Sequence, residues 1–226
     1  GCSQQGSQAG AEQGASRTIK IGVSVPAADH GWTAGVGYWA QQAMSLYPNV
    51  QWSYATAQNP TKQVADVEDM MAKGIEGLVI LCTESASLTP IGEKAHDRGV
   101  YIVNVDRGFV KPNVADIFLE GDNKAFGRKS AAFAVEKLGG KGTVVILEGI
   151  PCTVNSWRVE SVKDVLERHP GIALLAQAST RWDRQSSLEA MEVLLKKHSS
   201  IDAVLALDDD VALGAAQAIR EAGREN

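Results

Sequence analysis

The hydrophobic pattern of the 226-residue chain changes repeatedly between the period of a strand and the period of a helix. An apolar residue at every second position predicts a first strand, which carries Ile19, Ile21, Val23 and Val25 and breaks at Pro26. Residues 33–46 follow with helical spacing, and one helix face is expected to carry Val36, Trp39, Ala40, Ala43 and Met44. A strand that leads directly into a helix is the opening unit of a doubly wound sheet, in which ligands bind beyond the carboxyl ends of the strands.

The same alternation of strand and helix continues along the rest of the chain. Further strands are predicted at residues 50–55, 77–82, 100–105, 116–119, 143–147, 172–176 and 203–207. Helices are predicted at residues 59–73, 83–99, 124–138, 155–168, 183–198 and 211–222. Strands separated by helices of about 12 residues predict βαβ units and parallel sheets. The fold class is therefore α/β, with two similar doubly wound lobes at residues 18–122 and 123–226 that follow a tether at residues 1–17.

The second lobe is expected to be incomplete. Five strands are predicted before the crossing at residues 121–123 and three after it. A sheet with an unfinished edge and an uncovered helix face is a poor end for a domain. We therefore expect that the sequence is a fragment, or that a segment from elsewhere completes this lobe.

Composition and motifs exclude several classes of function. A net charge of −5 and a pI near 5.4 disfavour nucleic acid as a partner, because a nucleic-acid surface needs a basic stripe. The three cysteines have neither metal-ligand spacing nor the pattern of a disulfide framework. No GxGxxG follows the first strand, and GxxxxGK[ST] and GxSxG are missing from the sequence. An enzyme is therefore disfavoured, and no cofactor is expected.

The N-terminal residues resemble those of a mature bacterial lipoprotein. The sequence begins Gly-Cys-Ser, so that Cys2 would carry the lipid, and the alternative is an artificial remnant. Residues 3–16 are rich in Gly, Ser, Gln and Ala, cannot bury a core and are expected to be disordered. The sequence has no stretch of about 20 apolar residues that would span a membrane.

Residues that carry binding chemistry follow the predicted strands. The candidate ligand-binding residues are Asp29, His30, Trp32, Asp106, Arg107, Asn155, Arg158, Trp182 and Asp208. Each has an ordinary alternative: an Asp often caps a helix, a lone His is often incidental, and an Arg is often a solvated charge. As a set, they are expected to meet at facing edges of the two lobes.

The residue types in this set match the chemistry of a polyol. A carboxylate accepts two hydroxyl protons, a guanidinium donates two parallel hydrogen bonds, and an indole covers the apolar face of a sugar ring. A metal site would need a spacing of His, Cys and carboxylates that is missing. A glycosidase pair formed by Asp29 with Asp106 or Asp208 is a disfavoured alternative.

Several segments between Thr18 and Gly223 resemble the bacterial periplasmic sugar-binding proteins of the ribose-binding type, which serve ABC importers. They are IGVSVPAADHGW, QNPTKQVADVEDMMAKGIEGLVI, VNVDRG, GDNKAFGRKSA, ILEGIPCTVNSWR and AVLALDDDVALGAAQAI. The resemblance implies a type I periplasmic binding fold whose lobes close around a monosaccharide or related polyol by hinge motion. It also implies ABC permease subunits as membrane partners and a periplasmic or extracytoplasmic location.

The resemblance also implies roles for individual residues. The loop after the first strand would supply Asp29 and Trp32, Asp106 and Arg107 would hold ring hydroxyls, and lobe two would add Arg158, Trp182 and Asp208. Ribose binders carry Asn and Phe where this chain has Asp29 and Trp32, so ribose itself is not the expected ligand. A sugar or autoinducer sensor is the alternative function. The effector domain of a LacI-type repressor is disfavoured, because the N-terminal residues hold no helix-turn-helix.

Overall fold

Strands and helices alternate along the chain in the order that the hydrophobic pattern predicts. The computed structural model describes residues 17–28 and 30–225, so the predictions for Cys2, Asp29 and the tether lie outside the described residues. The first half contains β1 (Ile19–Pro26), α1 (Gly31–Ser45), β2 (Val50–Ala57), α2 (Pro60–Ala72), β3 (Gly77–Ile80), α3 (Ser85–Asp97), β4 (Tyr101–Val105) and β5 (Ile117–Leu119). The second half contains α4 (Asn123–Lys137), β6 (Gly142–Glu148), α5 (Thr153–Glu167), β7 (Ile172–Ser179), α6 (Arg184–Lys197), β8 (Ala203–Ala206) and α7 (Asp209–Glu221).

The described strands form two separate parallel sheets. Lobe one is built on a five-stranded sheet of order β2-β1-β3-β4-β5, and lobe two on a three-stranded sheet of order β7-β6-β8. Every described pairing between neighbouring strands is parallel. The carboxyl ends of the strands therefore meet at one edge of each sheet, and the loops that leave those ends lie side by side.

Apolar side chains cover both faces of the lobe-one sheet. On one face, Leu78, Ile80 and Ile102 are fully or almost fully buried in a core with residues of α2 and α3. On the other face, Val23 and Val25 pack with partly buried residues of α1. Strands that are covered on both faces read as continuous apolar runs, which explains the pattern of residues 77–82.

The inward face of α1 is narrower than the pattern predicts. Val36, Ala40 and Met44 pack against the core at a spacing of four residues. Trp39 and Ala43 are exposed instead, and Trp39 stacks edge-on with Tyr38 at a centroid distance of 5.1 Å. The predicted five-residue face is thus wrong for two members, because one helix row is enough to cover the edge of the sheet where β1 and β2 lie.

Lobe two packs its helices in pairs around one core. The four consecutive residues Val144–Leu147 of β6 are fully buried, with α4 and α5 residues such as Val162 and α6 and α7 residues such as Met191 in the same cluster. Within residues 17–28 and 30–225, no helix combines the length and apolar character that crossing a bilayer requires.

Candidate functional site

A cavity of about 580 Å³ lies between the two lobes, at the carboxyl ends of their strands. Lobe one contributes the loops after β1 and β4, and lobe two contributes residues at or near the amino ends of α4, α5, α6 and α7. The lining residues are His30, Gly31, Trp32, Asp106, Arg107, Gly121, Asn123, Phe126, Arg158, Trp182, Arg184, Asp208, Asp209, Asp210 and Leu213. The cavity therefore has two walls that belong to different sheets.

Seven of the sequence-predicted residues line this cavity, namely His30, Trp32, Asp106, Arg107, Arg158, Trp182 and Asp208. They come from five separate segments of the chain, the first near the start of α1 and the last at the start of α7. Parallel strand ends bring them together, as the sheet topology requires. Asn155 does not lie on the cavity wall, and Asp29 falls outside the described residues.

Asp106 occupies an unusual backbone position and is buried. Its φ of 62° lies in the left-handed region, and its amide donates to the Leu119 carbonyl of β5 at 2.7 Å. The Trp32 indole N–H donates to Asp106 Oδ2 at 3.2 Å, while Oδ1 has no protein donor among the described residues. Burial raises the pKa of Asp106, and the nearby charges of Arg107 and Arg158 lower it to a smaller extent.

The Arg107 guanidinium is held in place from lobe one. Its side chain is buried, and Nη1 donates to the Thr83 carbonyl at 3.2 Å. Asn104 braces the same loop, because its Nδ2 donates to the Arg107 carbonyl at 3.0 Å and its Oδ1 accepts from the Phe109 amide at 3.1 Å. Nη1 also donates to the Cys82 carbonyl at 3.5 Å. The N–H groups of Nε and Nη2 have no protein acceptor among the described residues, which leaves them for a bound molecule.

The Arg158 guanidinium is sandwiched between two aromatic rings of lobe two. Its Cζ lies 4.3 Å from the ring centroid of Phe126 and 5.8 Å from that of Trp182. Nε donates to Asn123 Oδ1 at 2.9 Å, and Nη1 donates to the Leu207 carbonyl at 2.5 Å. Burial lowers the pKa of Arg158, against the raising effect of Asp106 in lobe one and Asp208 in lobe two. Its charge therefore interacts with acidic groups of both walls.

Trp182 is held by a glycine in the loop after β6. A Cβ atom at Gly149 would lie 1.9 Å from Cε2 of the indole, so the ring occupies the space of the missing side chain. Trp182 itself has a φ of 67° and is only 4% exposed. The ring thus reaches the cavity as a rigid part of the wall.

Three consecutive aspartates begin α7 and have different partners. Asp208 is the N-cap, with Oδ1 accepting from the Asp210 amide at 2.9 Å. Asp209 lines the cavity without a described side-chain partner. Asp210 accepts from the Arg184 Nε at 2.6 Å and from the Gly31 amide of lobe one at 3.0 Å. The ordinary capping role considered for an Asp at this position is thus filled by Asp208, which also lines the cavity.

The Asn155 side chain serves the loop after β6. Its Oδ1 accepts from the Gly149 amide at 2.8 Å, and its Nδ2 donates to Glu148 Oε2 at 2.8 Å. Both polar atoms are therefore used inside lobe two. The sequence prediction grouped Asn155 with Arg158, which is three positions further along α5. Asn155 bonds to the loop after β6, whereas the Arg158 side chain lines the cavity.

The predicted set did not include several lining residues, chiefly Asn123, Phe126, Arg184, Asp209 and Asp210, although the last three follow strands as its members do. Asn123 and Phe126 are three positions apart in the first turn of α4, so they share a helix face toward the cavity. The rule that ligands bind where a strand ends did not point to them, because α4 begins at the crossing between the lobes. That crossing is the sequence signal that could have found them. Within the described parts of the chain, no group of three or more His, Cys, Asp or Glu side chains is arranged to hold a metal ion.

The arrangement combines acceptors, donors and apolar rings around one volume. Asp106 and Asp208 offer carboxylate oxygens, Arg107 and Arg158 offer N–H groups, and Trp182 offers an apolar ring. A small molecule with several hydroxyl groups matches all three kinds of surface. The fold and the cavity together define an α/β binding protein with a ligand cleft between two lobes.

A family profile for the periplasmic binding protein domain matches residues 21–226, and the chain belongs to that family. Among curated proteins, it is 34% identical over 171 residues to the ribose import binding protein RbsB of Bacillus subtilis, covering 75% of this chain and 55% of that protein. It is 28% identical over 215 residues to a xylitol-binding protein of Mycolicibacterium smegmatis, covering 92% of this chain and 60% of that protein. These relatives place it with the ribose-type solute-binding proteins of the family. The chain spans little more than half the length of these two curated relatives.

Solved structures share the same architecture. The fructose-binding periplasmic domain of a hybrid two-component system superimposes with a TM-score of 0.86 at 31% identity, covering 92% of this chain and 69% of that one. An ABC transporter solute-binding protein from Bacillus halodurans with bound myo-inositol superimposes with a TM-score of 0.88 at 25% identity, covering 93% of this chain and 74% of that one. The type I periplasmic binding fold expected from the sequence is confirmed.

Proposed function

We propose that this protein is an extracytoplasmic solute-binding protein that captures a monosaccharide or related polyol between its two lobes and delivers it to an ABC importer. The observation that carries the proposal is the interlobe cavity, where Asp106 and Arg107 of lobe one face Arg158, Trp182 and Asp208 of lobe two. A ligand that fills this cavity contacts both lobes, so it stabilises a closed arrangement.

The free polar groups of the cavity support a ligand with several hydroxyls. Each hydrogen bond to a charged group contributes about 1.5–3 kcal/mol net. Three or four such bonds, less the ordering of the ligand, correspond to a micromolar dissociation constant or better, about −8 kcal/mol. The cavity volume of about 580 Å³ is in the range of small-molecule sites.

The named relatives agree with this class of ligand but differ among themselves. Their names mention ribose, xylitol, fructose and myo-inositol. All four are small neutral molecules with several hydroxyl groups, and a binding role requires no catalytic step. We therefore propose a non-enzymatic role for this protein, with the polyol class as the ligand.

The location and the partners follow from the same proposal. A solute-binding protein acts outside the cytoplasm and docks on ABC permease subunits in the membrane. We propose that Cys2 carries a lipid anchor and that residues 1–17 act as the tether. Changing Cys2→Ser is expected to move the protein from the membrane fraction to the soluble fraction of cells, and unchanged membrane association would contradict the anchor.

Ligand binding is tested by isothermal calorimetry and tryptophan fluorescence with D-ribose, D-allose, D-fructose, xylitol and myo-inositol. At least one is expected to bind with micromolar affinity or better. Arg158→Ala is expected to weaken that binding about 100-fold, because the guanidinium lines the cavity and packs against the Phe126 and Trp182 rings. Arg220→Ala is the matched control, since Arg220 is an exposed cation of lobe two at the far end of α7. Equal affinities of the two variants would contradict the site.

A sensor function is the second candidate, because one structural relative is the fructose-binding periplasmic domain of a hybrid two-component system. Uptake of a radiolabelled ligand by cells that lack the protein distinguishes the two roles. Lost uptake supports transport. Normal uptake with a lost transcriptional response to the same sugar supports the sensor.

A further inference from the structure

One carboxylate joins the two lobes directly. Asp210, in the first turn of α7, accepts the backbone N–H of Gly31 in lobe one through Oδ2 at 3.0 Å. Its other oxygen, Oδ1, accepts from Arg184 Nε of lobe two at 2.6 Å. Both oxygens of Asp210 therefore have protein partners, unlike the neighbouring carboxylate of Asp209.

The contact satisfies the amino end of α1 with a charge from the other lobe. Gly31 is the first residue of α1, whose first turn contains no acidic side chain. The free N–H groups and the positive end of a helix favour a carboxylate at this place. A side chain at Gly31 would have its Cβ 3.3 Å from Asp210 Oδ2, so the glycine also permits the close approach.

Asp210 is not the N-cap of its own helix. Asp208 caps α7 by accepting from the Asp210 amide, and the Asp210 carboxylate extends away to Gly31 and Arg184. The Gly31 N–H is also the largest of the influences that lower the pKa of Asp210. The carboxylate is thus ionised near neutral pH.

We infer that Asp210 is a positioning residue that stabilises the closed arrangement of the lobes through Gly31, and thereby slows the release of the ligand. The effect on ligand release rests on the proposed function, whereas the contact between Asp210 and Gly31 does not depend on it. A contact made only in the closed form shifts the equilibrium toward that form by its own free energy. Its removal is expected to change the dissociation rate more than the association rate.

Two variants remove the contact from opposite sides. Asp210→Ala removes the acceptor, and Gly31→Pro removes the donor at the first helical position, where proline is well tolerated. His30 precedes it with an extended backbone, φ −152° and ψ 173°, which is compatible with a following proline. Asp164→Ala is the matched control, because Asp164 is an exposed carboxylate of lobe two on α5.

Small-angle scattering without ligand measures the radius of gyration. Stopped-flow fluorescence measures the dissociation rate of D-ribose, D-fructose, xylitol or myo-inositol. Both variants are expected to increase the radius of gyration and to raise the dissociation rate about tenfold, and the double variant is expected to match the single ones. A radius of gyration equal to that of the Asp164→Ala control, or additive effects of the two changes, would overturn the inference. If no sugar binds to the unchanged protein, the proposed function fails, while the scattering comparison still decides whether Asp210 holds the lobes together.

Discussion

Asp106 lowers the stability of the folded protein at neutral pH, although it lies in the proposed binding site. The residue is in the left-handed region with a φ of 62°, is 9% exposed and has a pKa raised chiefly by burial. A pKa above that of the unfolded chain means that the folded state holds the proton to higher pH. The free energy of unfolding therefore falls as pH rises through the interval between the two pKa values, and stays lower above it.

Asp106→Asn is expected to stabilise the fold and to impair binding. Asparagine is neutral, favours the left-handed region and still accepts from Trp32, so the free energy of unfolding at pH 7 should rise by about 0.5–1 kcal/mol. The gain should shrink as pH falls through the raised pKa of folded Asp106, and it should approach zero near pH 4, where the carboxyl of the unfolded chain also binds its proton. Urea unfolding at the two pH values measures it, with Asp97→Asn as an exposed control, and sugar affinity should fall about tenfold or more. A loss of stability at pH 7 would contradict the role of burial.

In lobe two, each of the helix pairs α4–α5 and α6–α7 has a glycine packed against a turn of its neighbouring helix. A Cβ at Gly127 of α4 would lie 2.4 Å from the Arg158 carbonyl and 2.9 Å from Ser161 Cβ. A Cβ at Gly214 of α7 would lie 2.2 Å from the Arg184 carbonyl and 2.9 Å from Ser187 Cβ of α6. Each glycine therefore packs against an Arg-x-x-Ser turn whose arginine lines the cavity. Close helix packing sets the position of both guanidinium groups.

Gly127→Ala is expected to disturb the site through this packing. The added methyl group collides with backbone, which cannot rotate away, so the free energy of unfolding should fall by about 1–3 kcal/mol. The shift of α5 should also move Arg158 and weaken sugar binding. Gly35→Ala is the control, since nothing lies within 4 Å of its Cβ position in α1.

Thermal unfolding and calorimetry compare these two glycine variants. The control should stabilise the protein by about 0.5–1 kcal/mol through helix propensity. Equal stability of the two variants would show that α4 and α5 adjust freely.

At the scale of the molecule, polar contacts between described residues join the lobes at more than one place. Besides Asp210 and Gly31, the first residue of α5 is bonded to lobe one. Thr153 Oγ1 accepts from the Gly108 amide at 2.8 Å, and the Thr153 amide donates to Ser85 Oγ at 3.0 Å. These contacts lie beside the described free cysteines, and burial raises the pKa of both thiols.

Thiol labelling should therefore report lobe opening. Burial raises the pKa of Cys82 to about 12, so this thiol should stay unreactive until the protein unfolds. Cys152 precedes Thr153 at the contact between lobes, and it should react slowly and become slower still when a sugar is bound. Reaction with a chromogenic disulfide at pH 8 in the Cys2→Ser background measures this, and Cys152→Ser should abolish the slow phase. A labelling rate that sugar leaves unchanged, despite a fluorescence response, would show that Cys152 is not shielded by closure.

The order of elements could be predicted because each signal is local. Asn59 and Pro60 begin α2 as expected, with Asn59 Oδ1 accepting from the Lys62 amide at 2.9 Å. Gly74 and Gly99 end α2 and α3 with positive φ of 78° each, a conformation that glycine adopts without strain. Runs of alternating or continuous apolar residues likewise predicted the strands. The exposed position of Trp39 was not predictable, because the width of a buried helix face depends on what covers it.

For the candidate site, the chain itself determined which residue types follow the strands, and parallel topology then implied that they share an edge. The tertiary structure alone decided how each group is used. Asn155 accepts a hydrogen bond from Gly149 within lobe two, Asp210 accepts one from Gly31 of lobe one, and Arg158 packs against two aromatic rings. Such choices depend on how separate strands, loops and helices pack against one another, which no local hydrophobic pattern encodes.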